Sequence, residues 1–291
     1  MQGIIVENIS DLYKVKIDEE IYTTKARGTF KKDSISPVVG DVVELEEVEE
    51  TKKEAVICEI LPRKNYIKRP KVSNITQLIF VLSSRHPKPD LLMLDKQLAF
   101  AEYLNIKSVI VLNKVDLDEK TEFKLIKDIY EKIGYNVVET QANSGNGIKE
   151  LLKIMKDNVN VFSGNSGVGK STLINAIFNK QVTQEGEISQ KNKRGKNTTT
   201  VIKLYEIDEN TFIADTPGFS TFEISEIKSE ELDKYFKEFK QFINDCEFVG
   251  CTHIKEEKCG IKQAVEDGKI SIDRYNRFCK IYGELKNQKR F

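Results

Sequence analysis

The sequence has no tryptophan, only two histidines and six prolines, and no net charge. Lys and Arg together number 46, as do Asp and Glu, so the overall charge favours neither acidic nor basic partners. No apolar run approaches the ~20 residues that span a bilayer. The first ten residues, MQGIIVENIS, lack the basic start and apolar core of a signal peptide. We therefore expect a cytoplasmic protein without membrane contact.

Cysteine is also scarce, and in a reducing compartment the five cysteines indicate metal binding or chance rather than a disulfide framework. One cluster stands out, formed by Cys246, Cys251, His253 and Cys259. Three thiolates and one imidazole suit tetrahedral zinc, and a full set of protein ligands is typical of a structural site. Cys58 and Cys279 lie apart and look like small core residues.

The 291 residues are enough for two or three domains. Residues 1–60 alternate apolar and polar in short runs, which predicts a small barrel. The segment 62–70 is basic and is interpreted as a linker. Basic stripes at 61–75, 186–203 and 271–290 could contact nucleic acid, or could be ordinary solvated surface.

From about residue 73 the pattern changes to apolar strands alternating with helices. This alternation predicts a mostly parallel sheet covered by helices, and residues after 228 turn helical. The predicted strands are 78–82, 109–112, 135–139, 159–163, 201–207 and 211–214. The predicted helices are 91–104, 122–133, 148–155 and 170–178.

A complete phosphate-loop pattern follows the strand 159–163 and opens the next helix. Its residues are Gly164, Asn165, Ser166, Gly167, Val168, Gly169, Lys170 and Ser171. The glycines let backbone amides point at phosphate oxygens, and the helix N-terminus adds partial positive charge. Lys170 would reach the outer phosphates, and the Ser171 hydroxyl would bind magnesium. Thr172 completes this part of the predicted nucleotide-binding set.

The tetrapeptide Asp215-Thr216-Pro217-Gly218 follows the strand 211–214. Alone it would be a common turn. Beside a phosphate loop, Asp215 is placed to hold magnesium, often through water, and the Gly218 amide can contact the last phosphate. A nucleoside triphosphate bound with Mg²⁺ is therefore expected.

The polar cluster Asn113-Lys114-Val115-Asp116 ends the strand 109–112. The Asp116 carboxylate can accept two hydrogen bonds from guanine, which adenine cannot supply. Asn113 could bond the base edge or tie loops together, and the stem of Lys114 could cover the ring. Ala142, within Gln141-Ala142-Asn143, would offer a backbone amide to the guanine carbonyl. Together these residues predict GTP and GDP as ligands.

A long polar loop ends in Thr198-Thr199-Thr200. Long loops of this kind in compact domains are usually functional or mobile. One threonine could close over the magnesium of bound triphosphate, and Thr199 and Thr198 are the candidates.

The motif order is unusual, because the base-reading residues precede the phosphate loop. In this order the chain resembles the circularly permuted GTPases. With its N-terminal barrel and Cys-Cys-His-Cys tail it resembles the ribosome small-subunit-dependent GTPases of the RsgA type. That resemblance implies an OB-fold barrel (1–65), a circularly permuted α/β P-loop GTPase domain (66–227) and a helical zinc-binding domain (228–291). It also implies a monomer that acts late in maturation of the small (30S) subunit, contacts its rRNA and is stimulated by it.

Two positions depart from common GTPase patterns. Phe219 stands where many GTPases have a water-orienting glutamine, and Asn197 where members of this family often have a histidine. We therefore expect slow intrinsic hydrolysis, with a contribution from the ribosome or from water. The alternatives are a metabolic P-loop kinase, which the residues at 113–116 argue against, and an RNA-binding module with structural nucleotide.

Overall fold

The computed structural model describes residues 1–28, 30, 36–118, 121–182, 202–215 and 226–287. The chain forms two compact units. The first contains Met1–Ile79, Ala142–Gly164 and Lys170–Ser220. The second contains Phe80–Gln141, Asn165–Gly169 and Thr221–Phe291. Each unit combines segments that are distant in sequence, and the three-domain division at residues 65 and 227 stays a prediction.

Five strands of the first unit close into a barrel. They are β1 (Gln2–Ile9), β2 (Leu12–Ile17), β3 (Glu20–Ala26), β4 (Val42–Glu49) and β5 (Glu54–Ile60). Strand β2 pairs with β1 and β3, β5 pairs with β3 and β4, and β4 returns to β1. Along β2, Tyr13 and Val15 are buried while Lys14 between them is exposed, as expected for a strand with one face on a core. The predicted OB-like barrel is confirmed.

The segment after the barrel is a small hairpin rather than a linker. Strand β6 (Tyr66–Lys68) pairs antiparallel with β7 (Lys71–Ser73). Ile67 and Val72 face each other and are buried. The interpretation of 62–70 as a linker was wrong, because strands of three residues carry too few apolar positions to show a period of two.

The sheet of the second unit is parallel. Strand β8 (Gln77–Ser83) begins in the first unit and ends in the second, where β9 (Lys107–Asn113) and β10 (Asn136–Thr140) continue the order β10-β9-β8. Every residue of β8 is buried, as predicted for a strand covered on both faces. Helices α1 (Leu91–Tyr103) and α2 (Glu122–Ile133) follow β8 and β9. Helix α2 ends at Gly134, whose φ of +96° suits glycine.

The first unit also holds the strands around the phosphate loop. Helix α3 (Ile148–Met155) precedes β11 (Val159–Ser163), and α4 (Lys170–Val182) follows it. Strand β11 runs parallel to β13 (Thr211–Asp215), which forms a hairpin with β12 (Lys203–Asp208). Strand β12 also pairs with β1 of the barrel, with Lys203 opposite Glu7. The barrel and this part of the sheet are therefore continuous.

The C-terminal part of the second unit begins with short 3-10 turns at Ser229–Tyr235, Lys237–Gln241 and Ile243–Asp245. Helices α5 (Gly260–Glu266) and α6 (Ile272–Asn287) complete it. Its core is aromatic, since the ring of Phe278 lies 5.1 Å from that of Phe236 and 4.7 Å from that of Phe239. Within the described part of the chain, every helix is too short or too polar to span a bilayer.

A buried ion network joins α1 to α6. Asp95 is fully buried and accepts hydrogen bonds from Arg274, Arg277 and the Tyr130 hydroxyl. Arg274, only 1% exposed, also pairs with Glu238. Both arginines belong to the basic stripe 271–290 that was considered for nucleic-acid contact. For Arg274 that reading was wrong, because a carboxylate distant in sequence brings it into the interior.

Candidate functional site

The phosphate loop occupies the turn between β11 and α4, as predicted. Gly164, Gly167 and Gly169 have φ values of +147°, +85° and +98°, a region that other residues rarely adopt. At Gly169 a Cβ atom would lie 2.3 Å from Asn113 Nδ2, so a side chain would also collide with the base-reading segment. The backbone path therefore requires these glycines.

The first unit places the remaining phosphate-site residues at one edge of its sheet. Strands β11 and β13 are parallel neighbours, with Val161 opposite Ala214, so Gly164, directly after β11, and Asp215, the last residue of β13, lie at adjacent strand ends. Lys170 Nζ donates a hydrogen bond to Gly164 O at 2.6 Å, and burial lowers the pKa of its amine. Ser171 and Thr172 lie exposed on the first turn of α4. This edge presents a cation and hydroxyls, which suit phosphate and magnesium.

In the second unit, the predicted base-reading segment is hydrogen-bonded to the phosphate loop. Asn113, at the end of β9, is 1% exposed and donates from Nδ2 to Val168 O at 2.9 Å. Its Oδ1 accepts from Thr140 Oγ1 at 3.1 Å. Lys114 has a left-handed backbone and donates from Nζ to Gly167 O at 2.7 Å. Asn113 could either bond the base edge or link two loops, and the geometry shows that its side chain links two loops.

Asp116 lies in the 3-10 turn Val115–Leu117 and is exposed, so its carboxylate is open to a ligand. The neighbouring Asp118 has a different task, since it accepts hydrogen bonds from the first amides of α2 at Glu122 and Phe123. Of these two acids, which are separated by one residue, Asp116 is therefore open to a ligand and Asp118 caps a helix.

Sequence reasoning missed several supports of this segment. Thr140, at the end of β10, orients Asn113 by donating a hydrogen bond to its side chain. Its position opposite Asn113 in the pairing of β10 with β9 indicates that role. Ser84 Oγ donates to Lys114 O at 3.0 Å, and His86 O accepts from Lys114 Nζ at 3.1 Å. No sequence motif marks these two residues, which simply follow β8.

Ala142 is buried in the first unit, two residues beyond the end of β10. The other predicted residues, Thr198, Thr199 and Gly218, lie outside the described residues, as do Asn197 and Phe219.

The predicted metal ligands converge in the second unit. One ligand atom each from Cys246, Cys251, His253 and Cys259 lies within 4.8 Å of all the others. His253 Nδ1 is 3.6 Å from Cys246 Sγ and 3.3 Å from Cys259 Sγ. Ligands of one tetrahedral zinc would lie about 3.3–3.8 Å apart, so the set is close to the geometry that the ion requires.

The surroundings of the cluster also suit a cation. Burial raises the pKa of Cys251 to about 12 and raises that of Cys259, so the thiols need a positive charge nearby to ionise. His253 Nε2 lies 3.5 Å from Asp233 Oδ2, which orients Nδ1 towards the sulfurs in the manner of a metal-bound histidine.

Comparison with known proteins shows which family carries this arrangement. Residues 60–225 match the RsgA GTPase family model, and residues 2–57 match that of the RsgA N-terminal domain. The Small ribosomal subunit biogenesis GTPase RsgA of Alkaliphilus metalliredigens is 40% identical over 290 residues, covering 100% of this chain and 99% of the relative. Its namesake in Clostridium acetobutylicum is 42% identical over 285 residues, covering 98% of each chain.

Two solved structures are also similar to this chain over nearly its whole length. The crystal structure of YjeQ from Thermotoga maritima has a TM-score of 0.86 and 35% identity, covering 99% of each chain. YloQ, described as a circularly permuted GTPase, has a TM-score of 0.82 and 30% identity, covering 100% of this chain and 96% of that one. The early position of Asn113-Lys114-Val115-Asp116 is thus a consequence of permutation. The chain belongs to the RsgA GTPase family and is a circularly permuted GTPase.

Proposed function

We propose that this GTPase acts as a late maturation and checkpoint factor on the small (30S) ribosomal subunit, and that the subunit stimulates hydrolysis. The observation that carries the nucleotide part is the direct bonding of Asn113 and Lys114 to the carbonyls of Val168 and Gly167. Because these hydrogen bonds join the predicted base-reading segment to the phosphate loop, binding of guanine would also favour the loop conformation that binds phosphate. The names of the relatives, as small-subunit biogenesis GTPases, support the partner.

The proposed GTP-binding residues are Asn113, Lys114, Asp116, Ala142, Gly164, Asn165, Ser166, Gly167, Val168, Gly169, Lys170, Ser171, Thr172 and Gly218. Lys170 contacts the outer phosphates, and Asp116 selects guanine. Ser171, with Thr199 or Thr198, would hold magnesium, and Asp215 would support that ion through water. When bound, this ion would neutralise charge that builds on the transferring phosphoryl group. Zinc at Cys246, Cys251, His253 and Cys259 has a structural role.

Hydrolysis by the isolated chain is proposed to be slow. Phe219 cannot orient a water molecule by hydrogen bonding, and Asn197 lacks the basicity of histidine. The small subunit would complete the site. The proposed partners are therefore the subunit with its rRNA and GTP or GDP. The proposed state is a cytoplasmic monomer without membrane contact.

The hydrolysis proposal is tested by measuring GTP turnover with and without purified small subunits, with large subunits as the control. We expect at least a tenfold rise with small subunits alone. Full activity of the isolated chain, or equal stimulation by large subunits, would refute stimulation by the small subunit.

The base-reading proposal is tested by exchanging an acid for its amide. Asp116→Asn should shift preference from GTP to xanthosine triphosphate, because the amide can donate to the carbonyl that xanthine has at C2. Asp118→Asn is the matched control, since it makes the same change two residues away in the cap of α2. Equal base preference in both variants would remove Asp116 from the recognition site.

A further inference from the structure

Two buried serines lie where β8 ends in the second unit. Ser83, the last residue of β8, is 1% exposed, and Ser84 after it is 4% exposed. Hydroxyls buried to this extent are usually hydrogen-bonded. Ser83 Oγ donates to Pro87 O at 2.8 Å, and Ser84 Oγ donates to Lys114 O at 3.0 Å. The end of β8 is therefore bonded both to the loop that follows it and to Lys114.

The hydrogen bond from Ser84 ends on a carbonyl that also closes a turn. Lys114 O accepts from Leu117 N at 3.0 Å, and this backbone bond closes the 3-10 turn Val115–Leu117. Asp116 is the middle residue of that turn. Because Ser84 and Leu117 donate to the same acceptor, a shift of the Lys114 carbonyl would move the turn and its carboxylate together. Ser84 therefore acts on Asp116 through the backbone.

The backbone at Lys114 requires such support. Its φ of 63° and ψ of 42° lie in the left-handed region, which residues other than glycine adopt at a cost in free energy. The loop after β8 holds this residue at two points, because Ser84 bonds its carbonyl and His86 O accepts from its Nζ at 3.1 Å. Removing the Ser84 hydroxyl would leave the side-chain contact but free the carbonyl of one of its two donors.

The loop after β8 also lies beside the phosphate loop. A Cβ atom at Gly167 would lie 3.6 Å from Pro87 Cδ and 3.7 Å from His86 O, which are ordinary van der Waals distances. The bond from Ser83 to Pro87 O holds the loop in this position. One short segment at the end of β8 is therefore next to both the phosphate loop and the turn that carries Asp116.

We propose that Ser84 is a positioning residue for guanine recognition. Its hydroxyl is buried and already donates to Lys114 O, so it acts through Asp116 rather than by contact with the base. The carboxylate must meet the ring N–H and the exocyclic amine of guanine at once, and hydrogen bonds weaken when their direction changes. The inference rests on the proposed function, in which Asp116 selects guanine, and deepens it by naming the group that sets the position of this acid.

The test compares GTP with inosine triphosphate, whose base keeps the ring N–H of guanine but lacks the exocyclic amine. The ratio of the two affinities therefore measures the second hydrogen bond to Asp116. The test variant is Ser84→Ala. Its matched control is Ser108→Ala on the neighbouring strand β9, because Ser108 is 8% exposed and its Oγ has no hydrogen-bond partner in the described part of the chain. Equal thermal midpoints would show that both variants fold.

Loss of one hydrogen bond changes an equilibrium constant roughly two- to tenfold. We expect Ser84→Ala to lower the affinity for GTP by a factor in this range and the affinity for inosine triphosphate by less, so that the preference for GTP falls about twofold or more. The affinity for GDP should fall as much as that for GTP, because the two share one base. Ser108→Ala should keep the affinities and the preference of the parent.

The outcomes separate the role of Ser84 from the proposed function. If the parent prefers GTP and Ser84→Ala keeps that preference, whether or not both affinities fall, Ser84 does not position Asp116 and only this proposal fails. If Ser108→Ala reduces the preference equally, the effect follows from the loss of any buried hydroxyl, and the proposal fails again. If the parent binds GTP and inosine triphosphate equally, Asp116 does not bind the exocyclic amine, and the proposed reading of guanine fails with it.

Discussion

Replacing Asp95 by asparagine should loosen the attachment of α6 to α1. The change keeps the shape of the side chain but removes the charge that faces Arg274 and Arg277. Arg274 retains Glu238, while Arg277, whose side chain is 16% exposed, loses an ion pair with Asp95. The variant therefore leaves positive charge in the interior with less compensation.

The size of the effect follows from burial. Removing one partner of a buried ion pair costs about 3–5 kcal/mol, because the remaining charge stays desolvated. The same two helices also carry a surface pair, Lys96–Glu284, whose members are 20% and 40% exposed. A pair of that kind contributes about 0–1 kcal/mol. Glu284→Gln is therefore the matched control, since it removes one carboxylate from the same contact.

Backbone hydrogen exchange is the suitable assay, because it reports the free energy of local opening element by element. A loss of 3–5 kcal/mol corresponds to roughly 10²–10⁴-fold faster exchange of the slowest amides in α6, at about 1.4 kcal/mol per tenfold. In Glu284→Gln the change should stay within about fivefold. If the slowest α6 amides exchange equally in both variants, the buried network does not hold the helix and the reasoning is wrong.

Three further predictions concern the nucleotide site, the barrel contact and the metal cluster. Asn113→Ala should lower GTP affinity about tenfold or more in a nucleotide titration, because it leaves the buried Val168 carbonyl and the Thr140 hydroxyl without this partner; an unchanged affinity would contradict the tie. Burial acts to raise the pKa of Glu7, but the charges of Lys14 and Lys203 outweigh burial and hold this pKa below 4.5. The ionised Glu7 therefore stabilises the fold above pH 4.5, and this stabilisation is lost as the pH falls through the lowered pKa. The difference in unfolding free energy between the parent and Glu7→Gln should therefore shrink below pH 4.5, and a constant difference would refute this. Cys251→Ser should lose bound zinc in metal analysis while Cys58→Ser, outside the cluster, keeps it; equal zinc content would remove Cys251 from the ligand set.

Local chemistry made the phosphate loop predictable. Its residues are contiguous, and their types follow from what phosphate requires of a backbone. The same holds for the predicted role of Asp116 and for the predicted metal ligands, which fall within fourteen residues. The alternation of strands and helices predicted the sheet because a buried parallel strand must be apolar throughout, as β8 is.

Other features depended on partners far along the chain. The sequence predicts Arg274 on a basic surface, whereas its interior position requires Asp95, 179 positions away. The sequence predicts a linker where the hairpin β6–β7 forms, and the order of this hairpin requires Asp41, which lies in the barrel segment directly before β4. The type of a side chain does not determine whether its charge is buried, because a buried charge requires an opposite charge close to it in the folded chain.

The sequence by itself determined the chemistry that we predict for this protein, since the glycine loop, the predicted guanine-reading Asp116 and the Cys-Cys-His-Cys set each lie within a short segment. The tertiary structure alone decided how these segments act together. Asn113 reaches Val168 across 55 positions, and only the meeting of loops at one sheet edge makes that bond possible. Chain order was free to change because the site depends on where strand ends lie in space, not on the sequence in which the chain visits them.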